Sequence, residues 1–207
     1  MKKSSNLTVH TLTSEQELNL AAVIQLAEAC NSYDGHTQKV TILSLLIFDG
    51  LQNLHRLKAQ ERFWLQSAAI LHDIGTIEGK KEHHKASLRI ILSNTILPFY
   101  NKERLIIASI ARYHRKALPN PSHDHFATLS SNEQEIVRLL SSMLRLADGL
   151  IQCVQGPLKE VRLKVRLKKI TATCKVTSIP ETDRFVREKS DLMEKVFNRK
   201  VIILWKE

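Results

Sequence analysis

His72 and Asp73 stand side by side in Leu71-His72-Asp73-Ile74-Gly75, at the end of an apolar run with helical spacing. An imidazole beside a carboxylate is costly to bury there, and a shared divalent cation removes that cost. Further donors follow at wide intervals: His36 upstream, then His84, His114 and Asp148 downstream. His36, His72, Asp73 and Asp148 together offer two nitrogens and two carboxylates, a mixed set that suits Mn, Fe, Zn, Ni or Mg. His84 and His114 extend the set to a second ion with Asp73 as the bridge and central catalytic carboxylate. Such a pair of ions can clamp the attacking and leaving oxygens of a phosphoryl displacement. One or two divalent metals are therefore expected.

Each donor also has a plainer explanation. Asp148, in Leu144-Arg145-Leu146-Ala147-Asp148-Gly149, needs a cation, and an ion pair with Arg145 or Arg112 serves as well as a metal. His83 competes with His84, one of the two facing inward and the other facing water. Arg115 and Lys116 beside His114, with Lys39 and Lys85, are candidate phosphate-binding residues. A cationic last helical turn accounts for Arg115 and Lys116 equally well. The turn-rich stretch from Ala117 to Thr128, with Pro119, Pro121, His123 and His125, reads as an exposed loop, a lid contact being its alternative.

The elements that must carry these residues are mostly helices. Ser14 with Glu17 has the pattern of a capping box, opening a helix over 14–33 that Asp34-Gly35 breaks. His36 opens a second helix, and a third carries Phe63, Trp64, Ala68, Ile70 and Leu71 and ends near Gly75. Further helices fit 83–96, 102–116 and 131–153, the last opened by Ser130 with Glu133. After Gly156-Pro157 the period becomes two: Val161, Leu163, Val165 and Leu167 alternate with cations, and Ile170, Ala172, Cys174 and Val176 repeat the alternation. A helix after Pro180 and a last strand over 201–205 complete a β-β-α-β unit. The expected architecture is mainly α, a helical domain over 1–155 followed by a small α+β subdomain over 156–207.

Composition narrows the class. The 207 residues are 43% apolar, and neither a signal-length apolar stretch follows Met1-Lys2-Lys3-Ser4-Ser5-Asn6 nor is any run long enough to span a bilayer. A soluble cytoplasmic protein without membrane association is the expectation. Cys30, Cys153 and Cys174 show no paired spacing and read as buried thiols. The net charge of +10 favours anionic partners: a phosphorylated small molecule, polyphosphate, or nucleic acid as the weaker partner. Oligomeric state stays open, a homodimer included.

The pattern of His36, His72-Asp73 and Asp148 resembles the HD-domain metal-dependent phosphohydrolases, helical proteins that bind divalent metal. Within them the chain is most similar to the C-terminal half of the exopolyphosphatase and guanosine pentaphosphate phosphohydrolase family. The matching stretches are His36 to Leu51, Leu71-His72-Asp73-Ile74-Gly75, His83-His84-Lys85, Ala111-Arg112-Tyr113-His114-Arg115-Lys116 and Leu144 to Leu150, and the basic tail looks like the end of those proteins. That family carries an N-terminal actin-like pair of catalytic domains, for which 207 residues leave no room, so their chemistry is not carried over. A second likeness is to bacterial HD enzymes that split diadenosine tetraphosphate at a two-iron centre; by it, His84 and His114 are second-metal ligands. Thr76 stands where many HD enzymes place a lysine near the phosphate.

The resemblance implies a metal-dependent phosphohydrolase that acts on a nucleotide or other polyphosphorylated small molecule through metal-activated water. The competing reading is a non-catalytic polyphosphate- or nucleic-acid-binding module whose basic strand presents Arg162, Lys164, Arg166 and Lys168. A degenerate dimerisation scaffold is a third.

Overall fold

The structure, a computed structural model, describes residues 11–207, and the polar N-terminal segment lies outside the described residues. Helix α1 (Ser14–Ala29) starts where expected, but its cap lies one residue earlier than predicted. Thr13 and Gln16 form the capping box instead of Ser14 and Glu17, because Thr13 also has a glutamine-type partner three positions on. The helix stops four residues short of the expected Tyr33, and Asn31 takes a left-handed conformation (φ 52°) that reverses the chain.

Asp34 caps α2 (Gly35–Gly50) by accepting from the Thr37 amide at 2.9 Å. After the single turn α3 (Gln52–His55), α4 (Ala59–Leu71) delivers His72 and Asp73 at its C-terminus, and a 3-10 turn (Ile74–Glu78) follows. Next come α5 (His83–Ser93), α6 (Asn101–Arg112), the short α7 (Asp124–Ala127) and α8 (Ser131–Cys153), which is capped by Ser130 and Glu133 as expected. Helix α8 is buried along most of its length from Ile136 onward and touches α2, α4 and α6, so its neighbours pack around it as a central post.

The tail holds β1 (Leu158–Val165), β2 (Lys169–Val176), α9 (Arg184–Lys189), α10 (Asp191–Phe197) and β3 (Lys200–Lys206). Strands β1 and β2 are antiparallel, while β3 runs parallel to β2, so α9 and α10 form the crossover that a parallel pair requires. The expected alternation of β1 holds through Val165. Leu167 departs from it: it lies in the hairpin turn and is 83% exposed, because the backbone pairing of Arg166 with Lys169 leaves it outside the ladder.

Both tail helices lie against α8, and one apolar cluster runs from Val23 of α1 to Phe197 of α10. Cys30, Cys153 and Cys174 are buried free thiols. Among the described residues no helix is long and apolar enough to cross a membrane.

Candidate metal centre

The chemistry-bearing side chains sit mainly at helix ends, where the backbone has carbonyls to spare. His72 follows the last residue of α4, and its Nδ1–H donates to the carbonyl of Ala69 at 2.7 Å. His114, two residues past α6, donates in the same way to Ala111 at 2.7 Å, and His83, the first residue of α5, to Lys80 at 3.0 Å. A carbonyl only accepts, so each ring spends an Nδ1 proton on it and turns Nε2, a lone pair whenever the ring is neutral, away from the backbone.

Those three Nε2 atoms converge on one carboxylate. Asp73 Oδ1 lies 3.0 Å from Nε2 of His83 and 3.4 Å from that of His114, and Oδ2 lies 3.4 Å from that of His72. The Nε2 atoms of His83 and His114 face each other at 3.3 Å. His72 Nε2 and Asp73 Oδ1 are buried, and neither has a hydrogen-bond partner. Acceptors packed against acceptors repel unless a proton or a cation lies among them.

Protons answer only part of this demand. Burial opposes protonation of His72, but the adjacent Asp73 carboxylate prevails and pushes its pKa up to about 9. For His114 burial wins, holding its pKa well below the usual imidazole range, so its lone pair stays available. Burial also resists ionisation of Asp73, yet His72 and the other imidazoles outweigh it and hold the carboxyl far below the ordinary range. A carboxylate with imidazole Nε2 atoms turned toward it, each ring oriented by a backbone carbonyl, is the donor set of a borderline divalent metal once the ion displaces the remaining proton. The residues present fit such an ion.

The donors form two overlapping groups that share Asp73: His36, His72 and Asp73 in one, Asp73, His83 and His114 in the other. His83 and not His84 therefore stands in the second group. Nor does either of the pair face water, since both rings are buried and stack edge to face. His84 Nδ1 is buried without a partner, and burial, helped by the nearby Arg112 charge, lowers its pKa to about 4.

Gly75 makes this convergence feasible. A Cβ there would stand 2.1 Å from the His83 carbonyl oxygen and 2.5 Å from the Ser87 amide, so any side chain would drive α5 away from Asp73. Ser87 ties the same turn down, accepting from the Gly75 amide at 3.0 Å and donating to the His72 carbonyl at 2.8 Å.

Asp148, on α8, lies 3.2 Å from His36 Nε2. Its ion-pair partner is neither of the expected arginines but Lys189 of α9, a residue sequence reasoning did not single out. Arg145 is committed elsewhere, to Asp191 at 2.8 Å and to the Tyr113 carbonyl at 3.2 Å, which braces the turn before His114. Arg112 is buried with one guanidinium nitrogen unpartnered.

Of the four candidate phosphate-binding residues, Arg115 alone reaches the cluster in the structure, its Nη1 3.5 Å from His83 Nε2. Lys85 pairs with Glu82 at 2.7 Å on the surface, and Lys39 and Lys116 are exposed. The loop after Ala117 is less open than expected: His123 bonds the Tyr113 hydroxyl at 2.7 Å, and the His123 and His125 rings pack on Tyr113 because its buried phenol needs a polar partner. A cleft of about 570 Å³ beside this loop is lined by none of the clustered residues.

Arg162, Lys164, Arg166 and Lys168 are exposed on and just beyond β1. The register sets Arg162 beside Thr173 and Lys164 beside Thr171, and the same outward face carries Lys169, Lys175, Lys200 and Lys206.

Comparison with known proteins adds one match. The family model described as Ppx/GppA phosphatase, domain III, matches residues 19–178, which include every residue of the histidine and aspartate cluster. No curated protein matches the chain significantly.

Proposed function

Because the chain belongs to the Ppx/GppA phosphatase family, as its domain III, we propose that it is a metal-dependent phosphohydrolase acting on a nucleotide or another polyphosphorylated small molecule. One observation carries this reading: the Nε2 atoms of His72, His83 and His114 converge on the Asp73 carboxylate, with each Nδ1 held by a backbone carbonyl. A bound divalent ion would activate water near neutral pH and neutralise charge on the phosphoryl oxygens.

The protein's own groups have separate tasks. Asp73, His83 and His114 hold the ion, with His72 beside them. Arg115, at the rim of the cluster, holds a phosphate oxygen and orients the phosphoryl group. Arg112, with a buried guanidinium nitrogen lacking a partner, contributes positive potential to the same side. The apolar packing of α4, α6 and α8 behind the cluster excludes water from the back of the site.

The test is phosphate release from nucleotides and polyphosphate, with and without Mn or Fe, by the wild type and by His72→Ala/Asp73→Ala. Metal-dependent release lost in the double variant is expected. A wild type that holds metal but releases phosphate from none of these substrates would remove the catalytic reading.

A second reading, a polyanion-binding module, is favoured by the gathering of cations from all three strands on one sheet face. That face would bind polyphosphate or nucleic acid with a steep salt dependence, whatever the state of the metal cluster.

A further inference from the structure

We infer that the Lys189 ammonium takes the place of a second metal at Asp148, so that this centre binds a single divalent ion, on the Asp73 side. The inference rests on the metal-dependent reading above and goes beyond it by fixing the stoichiometry and assigning a role to the tail.

The two carboxylates of the cluster are partnered differently. Asp148 is saturated by the protein: Gln152 Nε2 donates to Oδ1 at 2.8 Å, His36 Nε2 stands 3.2 Å from the same atom, and Lys189 Nζ pairs with Oδ2. Asp73 Oδ1 is buried without a hydrogen-bond partner, with the Nε2 atoms of His83 and His114 at 3.0 and 3.4 Å. An external cation has an open place at Asp73 Oδ1 and is redundant at Asp148.

Lys189 reaches Asp148 by construction. Helix α9 lies so close to α8 that a Cβ on Gly149 would stand 2.9 Å from Val186 Cα, 3.2 Å from Lys189 Cβ and 3.3 Å from the Phe185 oxygen. Glycine next to Asp148 thus lets α9 come near enough for the lysine to span the gap. The position is held from the far side as well, since Ser190 bonds the Val186 carbonyl at 2.6 Å and Arg145 holds Asp191. With its side chain 12% exposed, Lys189 is no loose surface cation free to leave.

An ammonium and a divalent ion repel each other when they share one carboxylate in a setting with little water. Metal entry between His36, His72, Asp73 and Asp148 would have to expel Lys189 from the place that α9 and Gly149 fix for it. At the group of Asp73, His83 and His114 the neighbouring cation is Arg115, whose Nη1 stands 3.5 Å from His83 Nε2 and not on the Asp73 carboxylate.

The experiment is Mn²⁺ titration of the full chain by calorimetry, with elemental analysis after desalting, for the wild type, Lys189→Met, Lys189→Gln and Asp148→Asn/Lys189→Met. Circular dichroism establishes that each is folded. One Mn per chain is expected for the wild type and two for either single lysine variant, since a freed Asp148 completes the His36, His72 and Asp73 set. The double variant should return to one, because the gain depends on Asp148.

Two ions in the wild type, or one in both lysine variants, would overturn the inference and leave the phosphohydrolase reading standing. No Mn in any of the proteins would remove both. If both lysine variants fail to fold, the double variant and the wild type still decide: an unchanged single ion supports Lys189 in its role, and loss of all Mn in the double variant makes Asp148 a required ligand and overturns it.

Discussion

Asp73 and Asp148 act on the same two histidines, His72 and His114, and are provided for in opposite ways. The Asp148 side chain is 2% exposed and fully partnered; that of Asp73 is 26% exposed and has a buried oxygen with no donor. Ordinarily the deeper carboxylate is the one in greater need of an external charge. Here the order is inverted by a long-range contact. Burial opposes ionisation of Asp148, but the His36 contact and the Lys189 charge prevail and keep it an anion. Asp73 is surrounded by imidazoles whose Nδ1 protons are spent on backbone carbonyls, and its Oδ1 has no hydrogen-bond partner. Between these two acids the donor capacity of the neighbours, and not depth of burial, sets which one is left with an oxygen open to an external cation.

The comparison breaks most sharply if the two acids are neutralised one at a time. Asp73→Asn should weaken Mn²⁺ binding by more than ~100-fold, beyond the usual effect of removing an outer-shell partner. Competitive titration against a fluorescent chelator measures it, and wild-type affinity in this variant would erase the distinction between the two sites. Asp148→Asn should act on stability instead. It strands the Lys189 ammonium, and breaking a buried pair typically costs about 3–5 kcal/mol, read as a shift in the urea midpoint. A loss no larger than that of Asp73→Asn in metal-free buffer would show that Lys189 finds water readily.

The two glycines sharpen the same contrast at smaller scale. Gly75→Ala sets a Cβ against the backbone of His83 and Ser87, and overpacking of this kind costs roughly 1–3 kcal/mol. It should also weaken Mn²⁺ binding, because α5 carries His83. Gly149→Ala meets Val186 at the gentler distance of 2.9 Å and should lower stability by about 1 kcal/mol, at the foot of that range. Affinity at the Asp73 group should hold. Equal effects of both substitutions on Mn²⁺ binding would mean that α9 supports the whole cluster and not Asp148 alone.

Much of this was legible in the sequence where local rules decide. The Ser130 and Glu133 cap, the helical spacing behind His72 and the alternation along β1 and β2 all lead to the elements that formed. His83 was obscured because its orientation depends on Glu82, which caps α5 in a left-handed conformation (φ 55°) that favours glycine and that glutamate seldom announces. Lys189 was hidden for another reason. It lies 41 residues from Asp148, and what joins them is the close approach of α9 over Gly149, a packing relation with no local signature. Leu167 continued the period-two pattern on paper, but the hairpin turned one step before it.

The least effect belongs to the cations that proximity in sequence alone recommended. Lys85 lies within one residue of His84, yet it points to the surface and pairs with Glu82 at 2.7 Å. Solvent screens an exposed pair of this kind, and Lys85→Ala should leave both the urea midpoint and KM for a phosphate substrate unaltered. Lys39→Ala should behave alike, being exposed on α2. Arg115→Ala should instead raise KM, because its guanidinium stands 3.5 Å from His83 Nε2. Steady-state kinetics on the three variants separates a charge inside the reach of the cluster from charges merely near it in the chain. A KM that rose equally in all three would mean that the general positive field of the face, and not Arg115, gathers the substrate.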